Sequence, residues 1–139
     1  MAEEGIAEEE YETSIDVYME MANNYMDIYH DYHIAAYLYK KCITLGQLAE
    51  DKNKEALAEM GFAKCHDLFD RSDAAINNLE HAKAKATDQE TVSKVSEELI
   101  AIYRKLAEKY LVEAKGYDFN AQKALDNYRK CIDVCTDSG

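Results

Sequence analysis

The stretch AAYLYKKCI at residues 35–43 and its echo ALDNYRKCI at residues 124–132 decide how this chain is read. In each, an alanine is followed four residues later by a tyrosine and three beyond that by a cysteine: Ala35, Tyr39 and Cys42, then Ala124, Tyr128 and Cys131. Steps of four and three keep all three side chains on one face of an α-helix. A degenerate copy lies between them in Ala75, Leu79 and Ala82. The order small, large, small has a packing logic. The first small residue lets the second helix of a hairpin approach the first, the large one fills the next gap, and the last small one admits a neighbouring hairpin. A single hairpin leaves a face bare, so such units stack.

Working outward, apolar spacing marks six helical segments. The first runs from about Glu9 to His30, with Ile15, Tyr18, Ala22, Tyr25 and Tyr29 in one stripe. The second covers about His33 to Glu50 and the third about Lys54 to Phe69. The third is apolar on two faces and is expected in the middle of the structure. A fourth begins after Asp70-Arg71, with Ser72 or Asp73 as its cap, and carries the degenerate copy. Asp88 opens the fifth and longest, whose stripe is Val92, Val95, Leu99, Ile102, Leu106 and Tyr110 before Lys115-Gly116. The sixth covers about Ala121 to Val134. The expected architecture is all-α: antiparallel pairs at about 11–50, 54–86 and 88–135, stacked as one domain behind an acidic tail over 1–10.

Composition agrees. The 139 residues contain no proline, where average usage of ~5% would give about seven. With only five glycines, the chain lacks the punctuation that an all-β or α/β protein needs. The formal net charge is −12, from 28 acidic and 16 basic residues. That balance, with no lysine-arginine cluster, disfavours nucleic acid and anionic membrane as partners. The first twelve residues, MAEEGIAEEEYE, are the reverse of a signal peptide, and the longest apolar run, Ile34 to Tyr39, is far short of a membrane span. Cys42, Cys65, Cys131 and Cys135 lack the close spacing of a disulfide scaffold, so reduced thiols in a cytoplasmic setting are expected.

The pattern resembles the tetratricopeptide repeat (TPR) family over roughly Tyr11 to Cys135. The most family-like stretch is Glu55 to Ala86, where Gly61 or Ala63 matches the small residue of a first helix and Ala75, Leu79 and Ala82 the second-helix set. Three features depart from the family: the closing proline is missing throughout, the repeat exceeds the ~34-residue unit, and the first helix of the third pair is overlong. They leave a plain antiparallel bundle open as the alternative. Long, tyrosine-rich, irregular repeats of this kind also resemble the tetratricopeptide proteins of ciliary axonemes, which implies a cytoskeletal or ciliary location.

Candidate site residues divide into three groups. His30 and His33 stand three apart near a helix turn beside Asp27, with Glu20 a turn or two away. Such spacing suits a metal on a helix face, but the second ligand set that a bundle site needs is not evident. A polar corner is the preferred reading. Cys131 and Cys135 share a helix face, yet Cys131 occupies the repeat's small position, where a thiol serves as a small hydrophobe. Cys65 and His66 are adjacent in sequence and therefore diverge on a helix. Among the eleven tyrosines, Tyr18, Tyr25, Tyr29, Tyr39 and Tyr128 are assigned to packing. Tyr11, Tyr32, Tyr37, Tyr103 and Tyr117 are assigned to partly exposed positions, and Tyr32, Tyr37, Tyr103 and Tyr117 are the candidates for partner contact.

No glycine-rich phosphate loop, HExxH or CxxC motif is present. The chain is therefore expected to be a protein-interaction module, an adaptor or structural subunit of a larger assembly, with neither catalysis nor a cofactor. Its partner would be a protein with a basic or mixed-charge segment. Apolar surface near Val134 and Cys135 would favour docking or self-association. The rival reading is a metal-binding helical bundle.

Overall fold

A computed structural model describes residues 2–113 and 119–138. They form six helices: α1 (Ala2–Asp27), α2 (Tyr32–Leu48), α3 (Lys52–Leu68), α4 (Ser72–Lys85), α5 (Gln89–Glu113) and α6 (Phe119–Ser138). No strand occurs among the described residues. The chain is all-helical, with sequential helices packed as hairpins α1–α2, α3–α4 and α5–α6. The first helices also approach one another in the order α1, α3, α5, whereas the backbones of α2 and α4, and of α4 and α6, stay farther apart. The pairs are therefore layered in one direction. Their first helices lie close along one side, and gaps remain along the other. As expected from its two apolar faces, α3 touches α1, α2, α4 and α5.

The helix ends follow local chemistry. Asp31, Asp51 and Asp88 each accept a hydrogen bond from the amide three residues on, at 3.2, 3.1 and 2.7 Å, and so satisfy orphan donors of α2, α3 and α5. The α4 cap differs from expectation. Arg71 holds the cap position without a side-chain bond, and Ser72 and Asp73 already lie in the first turn. Helix α1 begins at Ala2 rather than near Glu9, since glutamate and alanine favour helix and acids suit its positive end. The three corners share one device: His30, Glu50 and Asp70 adopt φ of 54°, 56° and 62°. At the last two, the next amide reaches back to close the turn, Asp51 to the Gly46 carbonyl at 3.0 Å and Arg71 to that of His66 at 2.8 Å.

Two clusters make the core. Ala22, Met26, Ala35, Leu38, Tyr39 and Cys65 join α1, α2 and α3. Ala75, Leu79 and Ala82 meet Val95, Leu99, Ile102 and Val134 in the second cluster, which joins α3 to α6. The abundance of alanine brings helix axes close, and two glycines bring them closer. A Cβ on Gly46 would sit 2.9 Å from that of Glu55, so α2 and α3 nearly touch there. One on Gly61 would overlap the ring of Tyr39.

The repeat has a structural counterpart at its cysteines. The Cys42 thiol points at the Ile15 carbonyl, 3.9 Å away, and the Cys131 thiol at that of Ile100, 3.5 Å away. In both, the second helix of a pair offers a weak donor to the backbone of the first. Ala35 and Ala124 are both buried. Tyr39 is buried, but Tyr128 is only half-buried.

Candidate functional site

The clefts of this stack follow from which helices touch. On the side where α1 meets α3, Ile15, Met19 and Leu57 floor a cleft of about 490 Å³ rimmed by Asp16, Glu20, Asn23 and Lys54. Ion pairs lace the first helices here: Lys54 to Asp16 at 2.9 Å, Lys64 to Glu98 at 3.3 Å, and Lys105 to Asp67 at 2.7 Å. Being largely exposed, these pairs fix register more than they add stability.

On the other side, a second cleft of about 490 Å³ opens between α2, α3 and the corner that leads into α4. Phe62 and His66 of α3 form its floor, His33, Tyr37 and Lys40 of α2 one wall, and Phe69 and Arg71 its end. The His33 and Phe69 rings lie 4.5 Å apart, and the Arg71 guanidinium lies 5.9 Å from the Phe69 centroid. The Nδ1 of His66 is buried with no hydrogen-bond partner among the described residues. Burial, helped by the charge of Arg71, holds the His66 imidazole below its ordinary pKa. A third and wider cleft, about 870 Å³, lies between α4 and α6 over Leu99 and Tyr103, with both acids and lysines at its edge.

Between α3 and α4 a charged group is enclosed. Lys85 Nζ donates to Glu55 Oε2 and to Glu59 Oε1, each at 2.5 Å, and both glutamates are buried. Glu59 Oε2 has no partner among the described residues. Burial works against the Lys85 charge, but the hydrogen bonds it donates to Glu55 and Glu59 outweigh this and raise the ammonium pKa. Nothing in the spacing of the sequence pointed to this triad.

The expected partner-contact tyrosines separate. Tyr37 is exposed, with Lys41 lying 5.4 Å over its ring. Tyr32 is half-buried and packs edge-on to Phe69 at 6.4 Å. Tyr103 is not a surface residue: it is 5% exposed, and its hydroxyl donates to Glu80 at 3.1 Å. Its place in the α5 stripe, one residue from Ile102, turns it into the second core cluster. Tyr117 lies outside the described residues. Conversely, Tyr29, expected in the core, is 68% exposed, because α1 ends at Asp27 and the helical stripe no longer governs it. Its ring rests against Tyr25 at 5.4 Å.

The metal-ligand candidates are not gathered. His30 faces the edge of Tyr32, His33 packs on Phe69, and Asp31 is used as a cap. Among the described residues no group of three or more histidine, cysteine, aspartate or glutamate side chains is arranged to hold a metal. Cys65 is buried, and its thiol pKa is pushed up to about 11 by burial, the opposite of a nucleophile's requirement.

No protein-family model and no curated protein matches the chain. Among the described residues no helix is long and apolar enough to cross a membrane.

The apolar surface expected near Val134 and Cys135 is present only in part: Cys135 is exposed. Val134 is buried in the core, so it offers no docking surface. On α6 the exposed pair is Leu125 and Ile132, two turns apart on one face. On α1, Val17 and Met21 are 53% and 40% exposed, and Ile28, the first residue past its end, is 63% exposed. With Asn24 they follow steps of four, three and four, a single stripe along the outer side of that helix. Helix α1 has no lysine, arginine or histidine, and Asp16, Glu20 and Asp27 border the stripe. The surface is thus largely apolar, with acids along one edge.

Proposed function

We propose that this chain is a protein-interaction module, a TPR-like adaptor or structural subunit of a larger assembly. The observation that carries this reading is the α1 stripe. Three exposed apolar side chains on one face, interrupted by Asn24 and bordered along one edge by carboxylates, suit a protein surface better than water. The matching partner presents a basic or mixed-charge segment with apolar side chains between its charges. Burial of Val17, Met21 and Ile28 supplies most of the affinity, and the acidic rim speeds encounter.

The layered helix pairs support a repeat-type scaffold, since such stacks bind along their faces and at their uncovered ends. A cytoplasmic and cytoskeletal or ciliary setting belongs to the same proposal and rests on the resemblance alone. The test is affinity capture from cytosol with the native chain and with a Val17→Asp, Ile28→Asp variant, analysed by mass spectrometry. A stoichiometric protein recovered by the native chain and lost by the variant supports the reading. Equal recovery by both overturns the assignment to α1.

A further inference from the structure

The cleft between α2, α3 and the corner before α4 has a charge opposite to that of the molecule around it. The chain carries 28 acids against 16 basic residues, and the other clefts described above all have acids at their rims. This one has none. Its charged lining consists of Lys40 and Arg71, with His33 and His66 beside them. Elsewhere the lysines that reach across helices meet carboxylates, as Lys54, Lys64, Lys85 and Lys105 do. Like several other basic side chains, neither Lys40 nor Arg71 forms an ion pair among the described residues, so both charges are open to a ligand.

We propose that this cleft binds an acidic peptide segment of a partner protein, with one aromatic or aliphatic side chain seated on Phe62 and Phe69 and flanking carboxylates on Lys40 and Arg71. The shape suits an apolar anchor. The floor is aromatic, and His33 stacked on Phe69 extends the flat surface. Arg71 lies against the Phe69 ring, 5.9 Å from its centroid, which lowers the ordering cost of a contact with a carboxylate. His66 contributes a buried ring nitrogen still lacking a partner. A basic segment, which the acidic rim of α1 would attract, is repelled here. The two surfaces thus differ in sign, and this one does not depend on the α1 reading.

The test is selection of a displayed random-peptide library on the full chain, followed by fluorescence anisotropy with the enriched peptides. Lys40 and Arg71 are both exposed, so Lys40→Glu with Arg71→Glu leaves the helical packing intact, which circular dichroism checks. A Lys40→Gln, Arg71→Gln variant removes the charges without reversing them. Enriched peptides should be acidic around an aromatic or aliphatic residue. The glutamate variant should weaken them by at least about tenfold, and the glutamine variant by less. Reversal of Lys109 and Arg129, far from the cleft, should leave binding unchanged. Basic peptides, an absence of enrichment, or acidic peptides that bind the Lys40→Glu, Arg71→Glu variant as tightly would each overturn the proposal.

Discussion

The ring of Tyr39 on α2 occupies the space that a side chain at Gly61 on α3 would need. Its hydroxyl then continues to Asn23 on α1, to which it donates at 2.5 Å. One tyrosine thus spans three helices and couples the first pair to the second, and it does so only because residue 61 has no Cβ.

Gly61→Ala tests that coupling. Alanine improves helix propensity by about 1 kcal/mol, but here its methyl meets a buried ring that has no room to yield. Overpacking of this kind costs roughly 1–3 kcal/mol and more where the neighbour cannot move. Net destabilisation in urea titration is expected. A neutral or stabilised variant would show that α2 and α3 are farther apart than described.

The enclosed triad is the second point of failure. Lys85→Met leaves Glu55 and Glu59 side by side with their shared cation gone. Breaking a fully buried pair costs about 3–5 kcal/mol, and the partial exposure of Lys85 reduces this to roughly 2–4 kcal/mol. The double change Glu55→Gln, Glu59→Gln in the same background should restore part of the loss. If Lys85→Met unfolds at the native urea midpoint, the triad contributes nothing.

Thiol chemistry separates the four cysteines. Burial pushes the Cys42 and Cys65 thiols up to about 11 from 9.0. A raised folded pKa means stability that is complete below the unfolded value of 9.0 and is lost as pH rises from there through about 11. The urea midpoint should therefore fall across that interval. In native protein at neutral pH, iodoacetamide should label the exposed Cys135 first and leave Cys42 and Cys65 protected until unfolding. Equal labelling of all four would contradict the burial described.

The repeat, the six helices and the small-large-small packing were legible because they are local patterns. Ala35, Ala75, Ala82 and Ala124 are all buried, at positions set by steps of three and four. Corner positions were less legible. His30, Glu50 and Asp70 take a left-handed conformation that sequence reading associates with glycine, so α1 and α2 end before the expected residues. The acidic triad and the cationic cleft were not legible at all. Glu55 and Lys85, or Lys40 and Arg71, lie on different helices and meet only once the pairs have stacked. Asn53 is a further case: it accepts hydrogen bonds from the Thr87 and Asp88 amides at 2.8 and 3.1 Å and ties the start of α3 to the α4–α5 corner. Tyr103 failed for another reason. Its residue type suits a partly exposed site, but its position beside Ile102 places it against the core.

The central claim is that an apolar stripe with an acidic rim on α1 meets a basic or mixed-charge protein. The most direct measurement is stopped-flow association of the captured partner with the native chain over a series from roughly 0.05 to 0.5 M salt, across which screening changes strongly. The association rate should fall as salt rises, because charge guides encounter. The dissociation rate should change much less, because Val17, Met21 and Ile28 hold the complex. An association rate indifferent to salt would contradict the account and leave the acids of α1 with a role in solubility only.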